Sequence, residues 1–198
     1  MSEQFDRDFW DAHWREGGDA LPPHPVLGEI AGLDHGTALE AGSGEGAEAR
    51  WLARQGWAVT AADISAEALA RAAARTPVDG PQITWIEADL TTWQPAQEFD
   101  LVTTFYAHPT IPQLDFYARI AEWVAPGGTL LIVGHHHAHG HGHAHPDATV
   151  VDPASIRALL PLDLWDVQTA EVRDREVRGR SGGTTMQLSD VIVRAVRA

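Results

Sequence analysis

A chain of 198 residues that is 44% hydrophobic can bury a full core as one ordinary domain, without disulfides or a structural metal. It has no cysteine and no lysine, which excludes thiolate nucleophiles, cysteine-ligated clusters, Schiff-base chemistry and the P-loop lysine. The formal charge of −14 argues against sequence-independent nucleic-acid binding and against docking on an anionic membrane surface.

The N-terminus, MSEQFDRDFW, is acidic and lacks the apolar stretch of a secretory signal, so a soluble, cytoplasmic protein is expected. Phe5 and Phe9 lie four apart, as do Trp10 and Trp14, which is the spacing of one helix face. That face serves either as a lid over a site or as a stripe docked on the core. Thr37–Ala41 reads as a short buried strand running into glycines, and Ala47–Gln55 as a helix stopped by Gly56. Val59–Ile64 follows as a strand, and Ser65 caps an Ala-rich helix reaching about Arg75. Ile83–Ala88 and Phe99–Phe105 are the third and fourth strands. Pro112 suits the first turn of a helix in which Leu114, Tyr117, Ile120 and Val124 recur. Ala125-Pro-Gly-Gly128 is expected to break that helix before a fifth strand, Thr129–Gly134. Asp152-Pro153 opens a short helix to Leu160. Leu164–Val177 and Met186–Val196, joined through Ser181-Gly-Gly183, read as an antiparallel hairpin.

Alternating strands and helices call for a parallel sheet covered on both faces. One domain is expected over 1–198: an N-terminal helical lid segment (1–34), a core (35–134), a His-rich loop (135–147) and a C-terminal helix with its hairpin (148–198).

The most specific motif is Leu39-Glu-Ala-Gly-Ser-Gly-Glu-Gly46, placed where a strand ends and a helix begins. Asp63 follows Gly42 by 21 positions, the spacing at which a carboxylate meets a ribose diol. Gly42, Gly44 and Ala47 also fit a dinucleotide fingerprint, so an NAD(P)-binding oxidoreductase stays an alternative. Glu40 beside the loop suits a cationic ligand, Glu45 in the loop would repel a pyrophosphate, and Asp89 offers a second acid at the same sheet edge.

Leu39–Gly46, Asp63, Asp89, Phe99-Asp-Leu-Val102 and Ala125-Pro-Gly-Gly128 resemble the ordered motifs of class I S-adenosylmethionine-dependent methyltransferases, over roughly residues 35–135. The short chain and the Phe9-Trp10-Asp11 to Trp14 segment are similar to small bacterial enzymes of the tellurite-resistance and thiopurine methyltransferase type. The resemblance implies an α/β, Rossmann-like fold with a seven-stranded, mostly parallel sheet and a C-terminal antiparallel hairpin. It implies S-adenosylmethionine as cofactor and a small-molecule methyl acceptor. The cofactor contacts would be Gly42, Ser43 and Gly44 for the methionine end, Asp63 for ribose, and Asp89 with Leu90 for adenine, with Glu40, Ile64, Phe105 and Trp14 as further cofactor contacts. His108 is the candidate base after the fourth strand and Tyr106 its hydrogen-bonding or stacking partner. This stretch, Phe105-Tyr-Ala-His-Pro109, lacks the Asn- or Asp-Pro-Pro-aromatic tetrad of DNA methyltransferases, which counts against a nucleobase substrate.

Seven histidines between His135 and His145 form a low-complexity tract. It is a loop with incidental affinity for a divalent metal, or else a lid, a pH-sensitive gate or a receiver for a metal or metalloid. A binding protein for metal or S-adenosylmethionine, without turnover, is the remaining alternative.

Overall fold

A computed structural model describes residues 5–16, 21–136, 151–178 and 185–198. Seven strands form one sheet: β1 (Thr37–Ala41), β2 (Ala58–Asp63), β3 (Ile83–Glu87), β4 (Phe99–Phe105), β5 (Val124–His135), β6 (Trp165–Arg178) and β7 (Thr185–Arg197). Their spatial order is β3-β2-β1-β4-β5-β7-β6. β1 to β5 run parallel, whereas β7 pairs antiparallel with both β5 and β6. The fold is therefore the Rossmann-like, mostly parallel sheet with an antiparallel pair that the motif order implies. The Ser181-Gly-Gly183 turn lies outside the described residues.

The helices are α1 (Arg7–Arg15), α2 (Ala47–Gln55), α3 (Ala66–Ala74), α4 (Gln113–Ala121) and α5 (Pro153–Ala158). Caps placed in the sequence perform as expected: Ser65 accepts from Ala68 N–H and Asp152 from Ser155 N–H, each satisfying an otherwise orphan donor. One core layer joins α4 and α5 to the sheet through Phe116, Tyr117, Ile120 and Ile156 against Leu130, Ile132 and Val193. The other joins α2 and a 3-10 turn at Pro25–Ile30 through Leu27, Ile30 and Leu52 against Leu101, Leu131 and Val133. Burying each such side chain stabilises the fold by about 1.5–3 kcal/mol.

Two local expectations are corrected. Val124 does not continue the helical stripe. α4 ends at Ala121, and Val124 opens β5, in register with Phe99, whose N–H donates to Trp123 O at 2.8 Å. The Ala125-Pro-Gly-Gly128 stretch then runs inside β5 rather than before it, with Gly127 at φ +78 and a register shift in β4 between Phe99 and Leu101. Strand pairing overrides the local breaker because β4 supplies the partner that a sequence window does not contain. The 3-10 turn at Pro25–Ile30 carries no periodicity long enough to reveal it, although Val26, Leu27 and Ile30 are buried.

Candidate functional site

The carboxyl ends of β1, β2 and β4 converge where an open parallel sheet receives ligands. Leaving β1, the chain turns through Gly42 and Ser43, whose N–H groups both donate to Ala62 O, at 2.9 and 3.1 Å. Gly42 has φ +79, and a Cβ there would lie 2.4 Å from the Ala107 Cβ on the segment following β4. Gly44 has φ +49, and its Cβ would meet Trp14 Cζ2 at 3.1 Å. The loop is thus held between α1 on one side and the post-β4 segment on the other, and backbone without side chains is what lets both approach. Ser43 is buried, and its hydroxyl has no hydrogen-bond partner among the described residues. A buried hydroxyl without a partner in a glycine cradle is suited to a polar ligand atom.

Asp63, at the end of β2, accepts from Gly44 N–H at 2.7 Å and from Ser65 N–H at 2.9 Å, one bond on each oxygen. Each oxygen keeps a second acceptor position, so a ribose diol can still be received. Burial raises the pKa of Asp63, the Ser65 and Gly44 N–H groups oppose the rise, and nearby Asp11 adds to it. Asp89 accepts from the Thr91 N–H and hydroxyl on one oxygen, at 2.9 and 2.7 Å, and stands half-buried beside buried Leu90. Ile64 is half-buried between Asp63 and Ser65.

Glu40, one residue before the end of β1, is almost wholly buried on its α2 face, where it accepts from the Thr103 hydroxyl. Burial and the like charge of Glu48 push its carboxyl well above the usual range. Glu48, raised by burial as well, accepts from His24 N–H at 3.1 Å. The Glu45 carboxylate pairs with Arg71 of α3 and with Arg75 at its C-terminal cap, so its charge is compensated.

α1 lies over this edge. Asp11 receives the Ser65 hydroxyl at 2.6 Å, Arg15 pairs with Glu67 at 3.2 Å, and Arg7 pairs with Glu87. None of its residues is buried. Phe5 precedes the helix rather than sitting in it and meets Phe9 edge-on at 5.1 Å. The rings continue into the candidate acceptor side. Trp10 stacks at 6.4 Å from His108, His108 at 5.5 Å from His135, and His135 at 4.5 Å from Tyr106. His108 is buried and also faces Phe5 at 5.6 Å.

Tyr106 is the one non-glycine residue with positive φ among the described residues, at +54. A side chain in that region costs about 1–2 kcal/mol, and it stands where the chain leaves β4, two residues before His108. Its hydroxyl donates to Asp190 Oδ1 at 2.7 Å and accepts from Arg175 Nη2 at 3.0 Å. Burial and Asp190 raise the phenol pKa far above its ordinary value, so Tyr106 does not serve as a base. Asp190 Oδ2 receives Arg175 Nε and His24 Nε2, the latter at 3.1 Å. His24 Nδ1 accepts from Val26 N–H, which makes Nε2 the protonated nitrogen. Burial works against the Asp190 charge, but His24, Tyr106 and Arg175 outweigh it and bring its pKa down to about 2.

The structure therefore brings Gly42, Ser43, Gly44, Asp63, Ile64, Trp14, Tyr106 and His108 to one edge, with Phe105 buried beneath Tyr106 and 5.8 Å from the His24 ring. Asp89 and Leu90 flank that edge at the end of β3. His24, Glu48, Arg175 and Asp190 were not singled out by the sequence: each lies far from the glycine loop in the chain, and no local spacing links them. In the histidine tract, His135 and His136 are described and residues 137–145 lie outside the described residues. Among the described residues no cluster of three or more His, Asp or Glu is arranged to hold a metal ion, and no helix is long and apolar enough to cross a membrane.

Residues 38–128 match the family model of a methyltransferase domain. A probable thiol methyltransferase 2 of Arabidopsis thaliana is 30% identical over 134 residues, covering 62% of this chain and 59% of the plant protein. The chain spans only about half to three-fifths of the length of the curated relatives it matches. Among solved structures, TehB of Haemophilus influenzae has a TM-score of 0.73 at 14% identity, covering 96% of this chain and 67% of TehB. The N-methyltransferase NodS of Bradyrhizobium japonicum, in complex with S-adenosylhomocysteine, has a TM-score of 0.69 at 17% identity, covering 95% and 98%.

Proposed function

We propose that this chain, whose residues 38–128 match a methyltransferase-domain family, methylates a small molecule with S-adenosylmethionine as donor, as a class I, Rossmann-like enzyme. The observation that carries the reading is the glycine loop with its buried, unpartnered Ser43 hydroxyl, closed on one side by Asp63 and on the other by the post-β4 segment. When bound, the cofactor supplies a methyl group on a sulfonium, an electrophile that needs no metal and no covalent enzyme intermediate. Gly42, Ser43, Gly44 and Glu40 hold its amino-acid end, Asp63 and Ile64 its ribose, and Asp89 and Leu90 its adenine. Trp14 and Phe105 line the remainder, and α1 excludes water from above.

His108 removes the acceptor's proton as the methyl group is transferred, and proximity supplies much of the rest. The acceptor we favour is a small thiol. The Phe5, Trp10 and His135 rings lie against His108, and the plant relative is named for thiol methylation. The whole chain acts as one domain in the cytoplasm.

The test is calorimetry with S-adenosylmethionine and with NADH, followed by transfer of a labelled methyl group to benzenethiol. Binding of the sulfonium compound and not of NADH is expected. His108→Ala should lower turnover at least about a hundredfold, the low end for a positioned base, with cofactor affinity preserved. Binding of neither compound overturns the methyltransferase reading, and unchanged turnover in the variant removes His108 from the mechanism.

A further inference from the structure

Asp190 is far from the glycine loop in sequence, sits on β7 of the antiparallel pair and has no part in the cofactor contacts above. It is 1% exposed, yet an imidazole, a phenol hydroxyl and a guanidinium from three separate elements meet on its two oxygens. His24 comes from the cap of the 3-10 turn, Tyr106 from the end of β4 and Arg175 from β6. Asp190 is also the register partner of His135 across β5 and β7. A fully satisfied buried charge of this kind rigidifies what it touches.

What it touches is the start of the ring stack. The Tyr106 hydroxyl is tethered to Asp190 and Arg175 while its ring lies on His135, and the His135 ring lies on His108. Tyr106 also has left-handed backbone, two positions before His108. We infer that Asp190 is a positioning residue: through Tyr106 it sets the orientation of the His135 and His108 imidazoles over the acceptor. The inference rests on the reading of His108 as base. It adds that the antiparallel hairpin, outside the family match at residues 38–128, aligns that base.

Two variants separate alignment from folding. Asp190→Asn keeps the shape and removes the charge. Tyr106→Phe keeps both rings of the stack and removes only the tether. In each, kcat with benzenethiol should fall about tenfold while KM and the S-adenosylmethionine Kd stay within about twofold. The imidazole NMR signals of His108 and His135 should move, because their ring-current environment changes. The double variant should be no slower than the slower single one, since both remove the same link.

Unmoved imidazole signals in Tyr106→Phe, or losses in kcat that multiply in the double variant, overturn the positioning role. If Asp190→Asn does not fold, Tyr106→Phe decides alone. The His108 reading fails separately, by unchanged turnover in His108→Ala, and the imidazole signals answer the positioning question whichever way that result falls.

Discussion

Replacing Glu40 with glutamine should stabilise the free protein at neutral pH and weaken its hold on the cofactor. The Glu40 carboxyl is 1% exposed, beside Glu48, with the Thr103 hydroxyl as its hydrogen-bond donor. Burial and Glu48 raise its pKa well above its ordinary 4.5, so the folded state binds a proton that the unfolded state releases. Stability is therefore lost as pH rises above 4.5 toward the folded-state pKa. Keeping Glu40 protonated at pH 7, 2.5 units above 4.5, costs at most about 3 kcal/mol at about 1.36 kcal/mol per unit. At pH 5 the same cost is under about 1 kcal/mol.

Glutamine has nearly the shape of the protonated acid and nothing to titrate. At about 2–4 °C per kcal/mol for a chain of this size, Glu40→Gln should melt up to roughly 12 °C higher at pH 7 and within about 4 °C of the parent at pH 5. Calorimetric melting at the two pH values reads this directly. A cofactor ammonium draws the carboxyl into its charged form, which glutamine cannot adopt, so titration with S-adenosylmethionine should show about tenfold weaker binding, the low end for losing a hydrogen bond to a charged group. Equal melting differences at pH 5 and pH 7 would refute the reasoning, because they would mean that Glu40 does not titrate differently in the fold.

Asp190 titrates in the opposite sense. Its pKa lies near 2 against an ordinary 3.8, so its contribution is complete above about pH 4 and is lost as pH falls toward 2. That contribution is about 2.4 kcal/mol, and urea unfolding of Asp190→Asn should lack this acid-dependent loss. Deleting residues 1–16 should weaken S-adenosylmethionine binding more than it lowers the melting temperature, because α1 buries none of its residues. Joint loss of folding and binding, read by circular dichroism and calorimetry, would instead make α1 part of the core.

What the sequence disclosed and what it withheld divide by distance along the chain. The bounds of α2 and the caps Ser65 and Asp152 were legible because a helix and its cap are local events, decided within a few residues. Gly42 to Asp63 was legible for the same reason: a strand, a turn, a helix and the next strand fix that spacing. Val124 was misplaced because its partner, Phe99, lies outside any local window. The protein partners of Glu40 were not legible, because Thr103 lies 63 positions away on β4 and Glu48 comes from α2. The His24, Asp190, Arg175 and Tyr106 cluster spans more than 160 positions and follows from sheet order alone.

The attachment of α1 has a kinetic consequence. Its links to the body run from Asp11 to Ser65, Arg15 to Glu67 and Arg7 to Glu87, with Trp14 resting on Gly44 and Trp10 stacked near His108. An element held this way opens by itself far more often than the whole chain unfolds. The amide hydrogens of Arg7–Arg15 should then exchange with solvent at a rate set by how often the glycine loop is filled, and slow when it is occupied. That rate makes the helix an internal occupancy gauge, readable by mass spectrometry with no methyl acceptor present.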